Sequence, residues 1–140
     1  MNKEDGEEFK MKLKILICCS KGQNRSKYLA KYLKNKGYST KYAGLEEYSK
    51  EDLSWKPIPK EDVEWAEIII FVRPRLVKVL KDNFNIKNKK IIGLDVTDSK
   101  RIAGEKFPGL LKLDSENFQK KWTRPLLRKA IKPYLPLRIE

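Results

Sequence analysis

The chain has 140 residues, the size of one ordinary domain, and its 32 lysines and arginines against 19 acidic residues give a net charge of +13. It has no histidine, and its two cysteines, Cys18 and Cys19, are adjacent. This composition argues against histidine-dependent nucleophilic catalysis, a zinc site and a structural disulfide. Unbridged cysteines suit a reducing compartment, so we expect a basic cytoplasmic protein.

The amino-terminal residues differ from the rest of the chain in composition. Residues 1–10, MNKEDGEEFK, are acidic and contain no apolar core, so they lack the pattern of a secretory signal. We interpret them as a flexible tail and residues 11–140 as a single domain. No apolar run in the sequence is long enough to span a bilayer, and we expect no membrane partner.

Three short, mostly aliphatic runs and one shorter segment predict the strands of one sheet. The aliphatic runs occupy residues 13–19, 68–72 and 90–94, and the shorter segment is residues 40–43, closed by Gly44. Strands that alternate with helices are typical of a parallel sheet covered on both faces, with right-handed connections. The sequence therefore predicts an α/β fold, namely a three-layer α/β/α sandwich with a four-stranded parallel sheet.

Helical spacing of apolar residues predicts three longer helices. They occupy residues 25–36, 74–84 and 115–131. Gly37 is expected to end the first helix in a left-handed conformation, and Pro125 to interrupt or kink the last one. Residues 62–64 are interpreted as a helical turn, and residues 45–60 and 95–114 as loops.

The segment between the first strand and the first helix contains the residues that suggest a functional site. It is Cys19-Ser-Lys-Gly-Gln-Asn-Arg25-Ser26. A loop that runs into a helix start directs backbone N–H groups and the helix dipole at one point, and Gly22 permits the left-handed backbone of such a nest. The planar guanidinium of Arg25 can hold two phosphoryl oxygens. The sequence therefore predicts that Cys19 and Arg25 bracket a phosphate-like anion.

The position of Cys19 explains how a nucleophile could work without imidazole. Backbone donors and the helix dipole would favour its thiolate, and Ser26 can donate a hydrogen bond to the sulfur. The alternative interpretation is a buried strand cysteine without a chemical role. Cys18 should point to the opposite face of the strand and belong to the core.

This motif, Cys-x5-Arg-Ser after a first strand, resembles the loop of low-molecular-weight protein tyrosine phosphatases and of their small bacterial offshoot. Three later segments are similar to the same family: KYAGLEE, EWAEIIIFVRPRLVKVL and KKIIGLDVTDS. They resemble its second strand, its third strand with the next helix, and its fourth strand with an aspartate-bearing loop. The resemblance covers roughly residues 11–100, and it implies the sheet order 2-1-3-4.

The resemblance implies a cysteine-dependent phosphomonoester hydrolase that uses no cofactor or metal and acts on a phosphorylated substrate such as a phosphotyrosine protein. Cys19 would attack phosphorus to form a phosphocysteine. Arg25 would hold the equatorial oxygens together with the other residues of the loop: Ser20, Lys21, Gly22, Gln23, Asn24 and Ser26. An aspartate would protonate the leaving oxygen, and its position favours Asp98.

The aspartate segment departs from the family pattern. Ser99 follows Asp98 and Thr97 precedes it, where the family has proline on one side or the other, so Asp95 remains an alternative general acid. Arg73-Pro74 is also atypical after the third strand. Tyr42, Tyr48 and Trp55 could line a substrate pocket, whereas Trp65 and Trp122 are interpreted as packing residues.

A second function is open beside the hydrolase. A catalytically weak or inactive domain of this fold could bind phosphate or nucleic acid, because residues 117–139 contain seven lysines and arginines and no acid. The sequence contains no recognised nucleic-acid motif, which ranks this interpretation second. Arsenate reductases use the same scaffold, but they need further cysteines, and only Cys18 is present here.

Overall fold

Four parallel strands form the sheet in the computed structural model, which describes residues 12–19, 24–44 and 58–139. The strands are β1 (Lys14–Cys19), β2 (Ser39–Gly44), β3 (Ile68–Phe71) and β4 (Lys90–Gly93). Their order is β2-β1-β3-β4, and all three pairings are parallel. The predicted α/β fold and the sheet order 2-1-3-4 are therefore confirmed.

The two central strands, β1 and β3, carry aliphatic side chains on both faces of the sheet. Residues 15–17 of β1 and 68–70 of β3 are fully buried, as expected for strands covered by helices on each side. The edge strands β2 and β4 contain half-buried and polar residues instead. In the register of the sheet Cys19 pairs with Gly44, so Cys19 is the last residue of a central strand.

Helices cover both faces of this sheet. They are α1 (Arg25–Lys34), α2 (Lys60–Trp65), α3 (Leu76–Asn83), α4 (Lys100–Lys106), α5 (Ser115–Phe118) and α6 (Arg124–Ile131). Right-handed connections place α1 on one face and α2 and α3 on the other. α6 packs against α1, and Leu29, Leu33, Leu127 and Ile131 of this pair are fully buried. None of the helices in the described part of the chain is long and apolar enough to cross a membrane.

The prediction of a loop over most of residues 95–114 is wrong from residue 100 onward. α4 begins after Ser99, whose hydroxyl accepts the backbone N–H of Ile102, and a 3₁₀ helix follows at Pro108–Lys112. Only Ala103 and Gly104 of α4 are buried, so the helix has no apolar stripe to reveal it. Gly104 lies under Leu111, where an added Cβ would be 2.5 Å from Leu111 Cγ.

The last predicted helix is interrupted as expected. A π-helical turn, Gln119–Thr123, separates α5 from α6. Pro125 lies in the first turn of α6 and has no N–H to donate back to the preceding turn, which explains the irregularity there. Gly37 follows α1 with a φ of 104°, which confirms the predicted left-handed terminator. The predictions for residues 1–10 and 45–57 lie outside the described residues.

Candidate functional site

The predicted site lies where the chain leaves the carboxyl ends of the strands. Cys19 ends β1, and Asn24 directly precedes α1, which begins at Arg25. Beyond the sheet, the Val72 N–H donates to the Cys18 carbonyl at 3.1 Å, and the Val96 N–H donates to the Val72 carbonyl at 2.9 Å. These two bonds extend the ladder past β3 and β4, so residues 96–98 are held at the same edge of the sheet as Cys19. Such an edge is where ligands bind in open α/β sheets.

Cys19 and Ser26 are in direct contact. Cys19 Sγ is 3.0 Å from Ser26 Oγ, and both residues are buried. Either group can be the donor in this contact, and the amino-terminal end of α1 adds positive potential at the same place. This arrangement suits a thiolate that has no imidazole beside it.

The Arg25 side chain is held by protein acceptors from the segment after β4. Its Nη1 donates to the Val96 carbonyl at 2.8 Å, and its Nε is 3.4 Å from Asp98 Oδ2. The side chain is only 6% exposed, so the guanidinium is largely shielded from water. A rigid, buried cation beside the end of a strand is a suitable donor group for an oxyanion.

The structure brings one of the two candidate aspartates to this cation. Asp98 Oδ2 contacts Arg25 and also accepts a hydrogen bond of 3.0 Å from Asn24 Nδ2. Asp95 Oδ1 instead lies 3.3 Å from Arg73 Nε, and the Asp95 side chain is 68% exposed. The Asp98 side chain, at 32% exposed, lies between the buried guanidinium and solvent.

The interior of the predicted phosphate loop is not part of the described chain. Ser20, Lys21, Gly22 and Gln23 lie outside the described residues, so their contacts with an anion stay a prediction. The Asn24 side chain donates to Asp98, and the Ser26 side chain contacts Cys19. Within residues 12–19, 24–44 and 58–139, no three cysteine or carboxylate side chains gather as a metal site requires.

Cys18 belongs to the core, as its place in the strand predicts. It is fully buried between its register partners Ala43 and Phe71. Burial strongly raises the pKa of the Cys18 thiol, and the neighbouring Cys19 raises it further. Cys18 is therefore held as a neutral thiol.

Trp122 has a role that its sequence context did not reveal. It was expected only to pack, but its indole N–H donates to the Thr97 carbonyl at 3.1 Å, while its ring contacts Phe107. Thr97 Oγ1 accepts the Ser99 N–H at 3.1 Å. Trp122 thus fixes the residue before Asp98 from the π-helical turn. Tyr42 is half-buried on β2, and Tyr48 and Trp55 lie outside the described residues.

Comparison with known proteins identifies the fold. No family model and no curated protein matches the sequence. Among solved structures, a low-molecular-weight phosphotyrosine phosphatase from Vibrio cholerae O395 has a TM-score of 0.57 and 16% identity, covering 84% of this chain and 91% of its own. A low-molecular-weight protein tyrosine phosphatase from T. tengcongensis has a TM-score of 0.56 and 17% identity, with coverages of 86% and 99%.

A third solved structure extends the range of substrates found on this fold. It is YwlE arginine phosphatase, as a cysteine-to-serine mutant with a phosphorylated active-site serine, with a TM-score of 0.54 and 12% identity over 91% of this chain and 100% of its own. The chain therefore has the fold of the low-molecular-weight protein tyrosine phosphatases, as its sequence motif predicts. Identities this low establish the fold and leave the activity to be argued from the site.

Proposed function

We propose that this protein is a cysteine-dependent phosphomonoester hydrolase of the protein tyrosine phosphatase type. The observation that carries the proposal is the contact between Cys19 and Ser26, at 3.0 Å, beside the buried guanidinium of Arg25. A hydrogen-bonded sulfur and a shielded cation at one helix start are what nucleophilic attack on a phosphoryl group requires. A phosphotyrosine side chain is the substrate that the fold and the sequence motif favour.

The reaction runs in two displacements. The Cys19 thiolate attacks phosphorus, the bond to the leaving oxygen breaks, and Asp98 gives that oxygen its proton, which leaves a phosphocysteine. Arg25 stabilises the equatorial oxygens in the transition state. Asp98 then takes a proton from water as the water attacks phosphorus, and the Cys19–phosphorus bond breaks. The Ser26 hydroxyl donates to the sulfur that leaves as a thiolate.

The contacts of Asp98 support its role as the general acid. The carboxyl group is held by Arg25 and Asn24 and is still about one-third exposed, so it can reach a leaving group that arrives from solvent. The contact of Asp95 with Arg73 gives it no such position relative to Arg25.

The test is hydrolysis of aryl phosphates, for which the two adjacent cysteines provide a matched pair. We expect the wild-type chain to release phosphate from p-nitrophenyl phosphate at about pH 5 to 7. Cys19→Ser should abolish turnover, whereas Cys18→Ala should keep it, because Cys18 lies in the core and off the reacting face. Folded wild-type protein without turnover across that range would contradict the proposal.

A phosphate-binding or nucleic-acid-binding domain without turnover is the second candidate. The basic residues of the acid-free stretch that includes α6, such as Arg128 and Lys129, are exposed and favour it. Salt-dependent binding of an oligonucleotide, unchanged in Cys19→Ser, would support this function in the absence of hydrolysis. The two unbridged cysteines agree with either function in a reducing compartment, so we propose a cytoplasmic location.

A further inference from the structure

A basic groove begins at the candidate site and follows α1. It has a volume of about 560 Å³ and extends from Asn24 at the start of the helix to Asn35 at its end. Tyr28 and Tyr32 lie along it on successive turns, and Arg124 contributes from α6. The groove is thus bounded by the two helices that pack together on one face of the sheet.

The described lining of the groove carries charge of one sign. Lys27, Lys31 and Arg124 line it, and none of the described residues that line it is acidic. Arg124 is partly neutralised by Glu116 at 3.1 Å, whereas Lys27 and Lys31 are exposed one helical turn apart. A second basic depression continues past Tyr32 and is lined by lysines and an arginine: Lys36, Arg128, Lys129 and Lys132. A polyanionic chain is the complementary partner of such a strip.

The groove is continuous with the leaving-group side of the candidate site. Asn24, which lines the groove, donates to Asp98 at 3.0 Å. Because Asn24 holds Asp98, which would protonate the leaving oxygen, the part of the substrate beyond that oxygen can pass Asn24 and enter the groove along α1. We propose that the groove binds acidic residues of the polypeptide that flanks the phosphorylated residue. This inference rests on the proposed hydrolase function and names its substrate class as acidic phosphoproteins.

The dimensions of the groove fit an extended peptide. The eleven-residue interval between Asn24 and Asn35 rises about 16 Å, which is the length of about five residues of extended chain. Lys27 and Lys31 are about 6 Å apart, close to the distance of about 6.6 Å between alternate side chains of such a chain. Two acidic side chains at alternate positions can therefore meet the two lysines.

The tyrosine rings favour a peptide over a nucleic acid. Tyr28 and Tyr32 stack on each other, Arg124 lies over the Tyr28 ring at 5.6 Å, and Lys36 lies over the Tyr32 ring at 4.9 Å. Arg128 also donates to the Tyr28 hydroxyl at 2.7 Å. Single-stranded nucleic acid gains much of its affinity from bases stacked on aromatic faces, and these faces are already engaged. The rings instead form an apolar floor between cations.

The first experiment compares two phosphotyrosine peptides of equal length, one with glutamates on the flank of the phosphotyrosine and one with glutamines there. At low ionic strength we expect the kcat/KM ratio of acidic to neutral peptide to fall about tenfold in Lys27→Glu/Lys31→Glu, because two exposed charge contacts are reversed. The control Lys81→Glu/Lys87→Glu has the same change of charge at exposed positions away from the groove and should keep the ratio. Equal ratios in wild type and groove variant would overturn the inference.

A second measurement separates this inference from the proposed function. Fluorescence anisotropy with an unphosphorylated acidic peptide needs no turnover, and the peptide should bind the wild type more tightly than the groove variant by about tenfold. Binding of the peptide without hydrolysis would contradict the proposed hydrolase function and support the groove as a peptide-binding site. Hydrolysis without a preference for acidic peptides would support the hydrolase function and contradict the inference about the groove. The peptide would be the wrong occupant if an oligonucleotide of equal charge bound more tightly than the peptide and lost the same affinity in the groove variant. That result would identify the groove as a nucleic-acid site.

Discussion

Two arginine–aspartate pairs lie beyond the carboxyl ends of the strands, and they differ in burial far more than in length. Nε of Arg25 is 3.4 Å from Asp98, and Nε of Arg73 is 3.3 Å from Asp95. The Arg25 side chain is shielded from water, whereas both partners of the other pair are more open to solvent. Water screens the outer pair, so equal distances do not mean equal energies.

The difference in burial follows from the position of each arginine in the fold. Arg25 is the first residue of a helix that packs on the sheet, and its Nη1 is held by the Val96 carbonyl. Arg73 follows a strand in an irregular segment and remains 28% exposed. We infer that the inner pair, formed by Arg25 and Asp98, serves chemistry and the outer pair, formed by Arg73 and Asp95, only the surface. Four predictions test this contrast.

The largest effect is expected from replacing the two arginines. Arg25→Lys should lower kcat/KM for p-nitrophenyl phosphate about 10³-fold, because an ammonium cannot reproduce the planar donors that hold equatorial oxygens. Arg73→Lys should change it by less than about threefold, since an exposed pair contributes little. Steady-state kinetics on both variants measures the contrast. Similar losses of kcat/KM in the two variants would contradict the distinction between the inner and outer pairs.

The second largest difference in turnover is expected between variants of Asp98 and Asp95. Asp98→Asn should lower kcat for phenyl phosphate by about 10²-fold, and less for p-nitrophenyl phosphate, whose leaving group needs little help from an acid. The basic limb of the pH profile for phenyl phosphate should flatten as well, because that limb reports loss of the proton from the general acid. Asp95→Asn should leave both substrates within about twofold. A loss that depends on the leaving group in Asp95→Asn would identify Asp95 as the acid instead.

A smaller effect is expected from Trp122, which positions the inner aspartate through Thr97. Trp122→Phe keeps the ring but loses one hydrogen bond worth about 1 kcal/mol, so kcat for phenyl phosphate should fall about fivefold. p-Nitrophenyl phosphate should be affected less, because Asp98 matters less for it. Trp65→Phe, at the end of α2, is the matched control. Equal losses with both substrates would indicate a general structural effect.

The smallest effects are expected in stability. A double-mutant cycle with Arg25→Gln and Asp98→Asn should give a coupling free energy of unfolding of about 1.5 kcal/mol or more. The same cycle with Arg73→Gln and Asp95→Asn should give about 0.5 kcal/mol or less. Urea unfolding measures both couplings. Equal values for the two pairs would show that burial does not separate them.

The sequence predicted those parts of the fold that depend on local patterns. Aliphatic runs on both faces mark β1 and β3 as central strands, and Gly37 marks the end of α1, because each is a property of neighbouring residues. α4 was missed because Ile102 and Phe107 of that region are exposed and no apolar face shows its period. The cap of Ser99 on Ile102 was a local feature that could have revealed the start of this helix.

The candidate site was predictable in its residue types and less so in its contacts. The spacing of Cys19, Arg25 and Ser26 follows from one strand, one loop and one helix, so it can be recognised in the sequence. The approach of Asp98 to Arg25 joins segments 73 residues apart, and Trp122 reaches Thr97 across the fold. Contacts of this kind depend on tertiary packing, which no local pattern contains.

The alternation of the two cysteines along β1 has a consequence for oxidation. A peroxide that converts Cys19 to a sulfenic acid creates a sulfur that a second thiol can protect by forming a disulfide with it. Cys18 is the only other cysteine in the chain, but it points to the opposite face of the strand and remains a neutral, buried thiol. A disulfide that protects Cys19 would therefore need a thiol from outside the chain, such as glutathione, and sustained peroxide would carry an unprotected sulfur to irreversible acids.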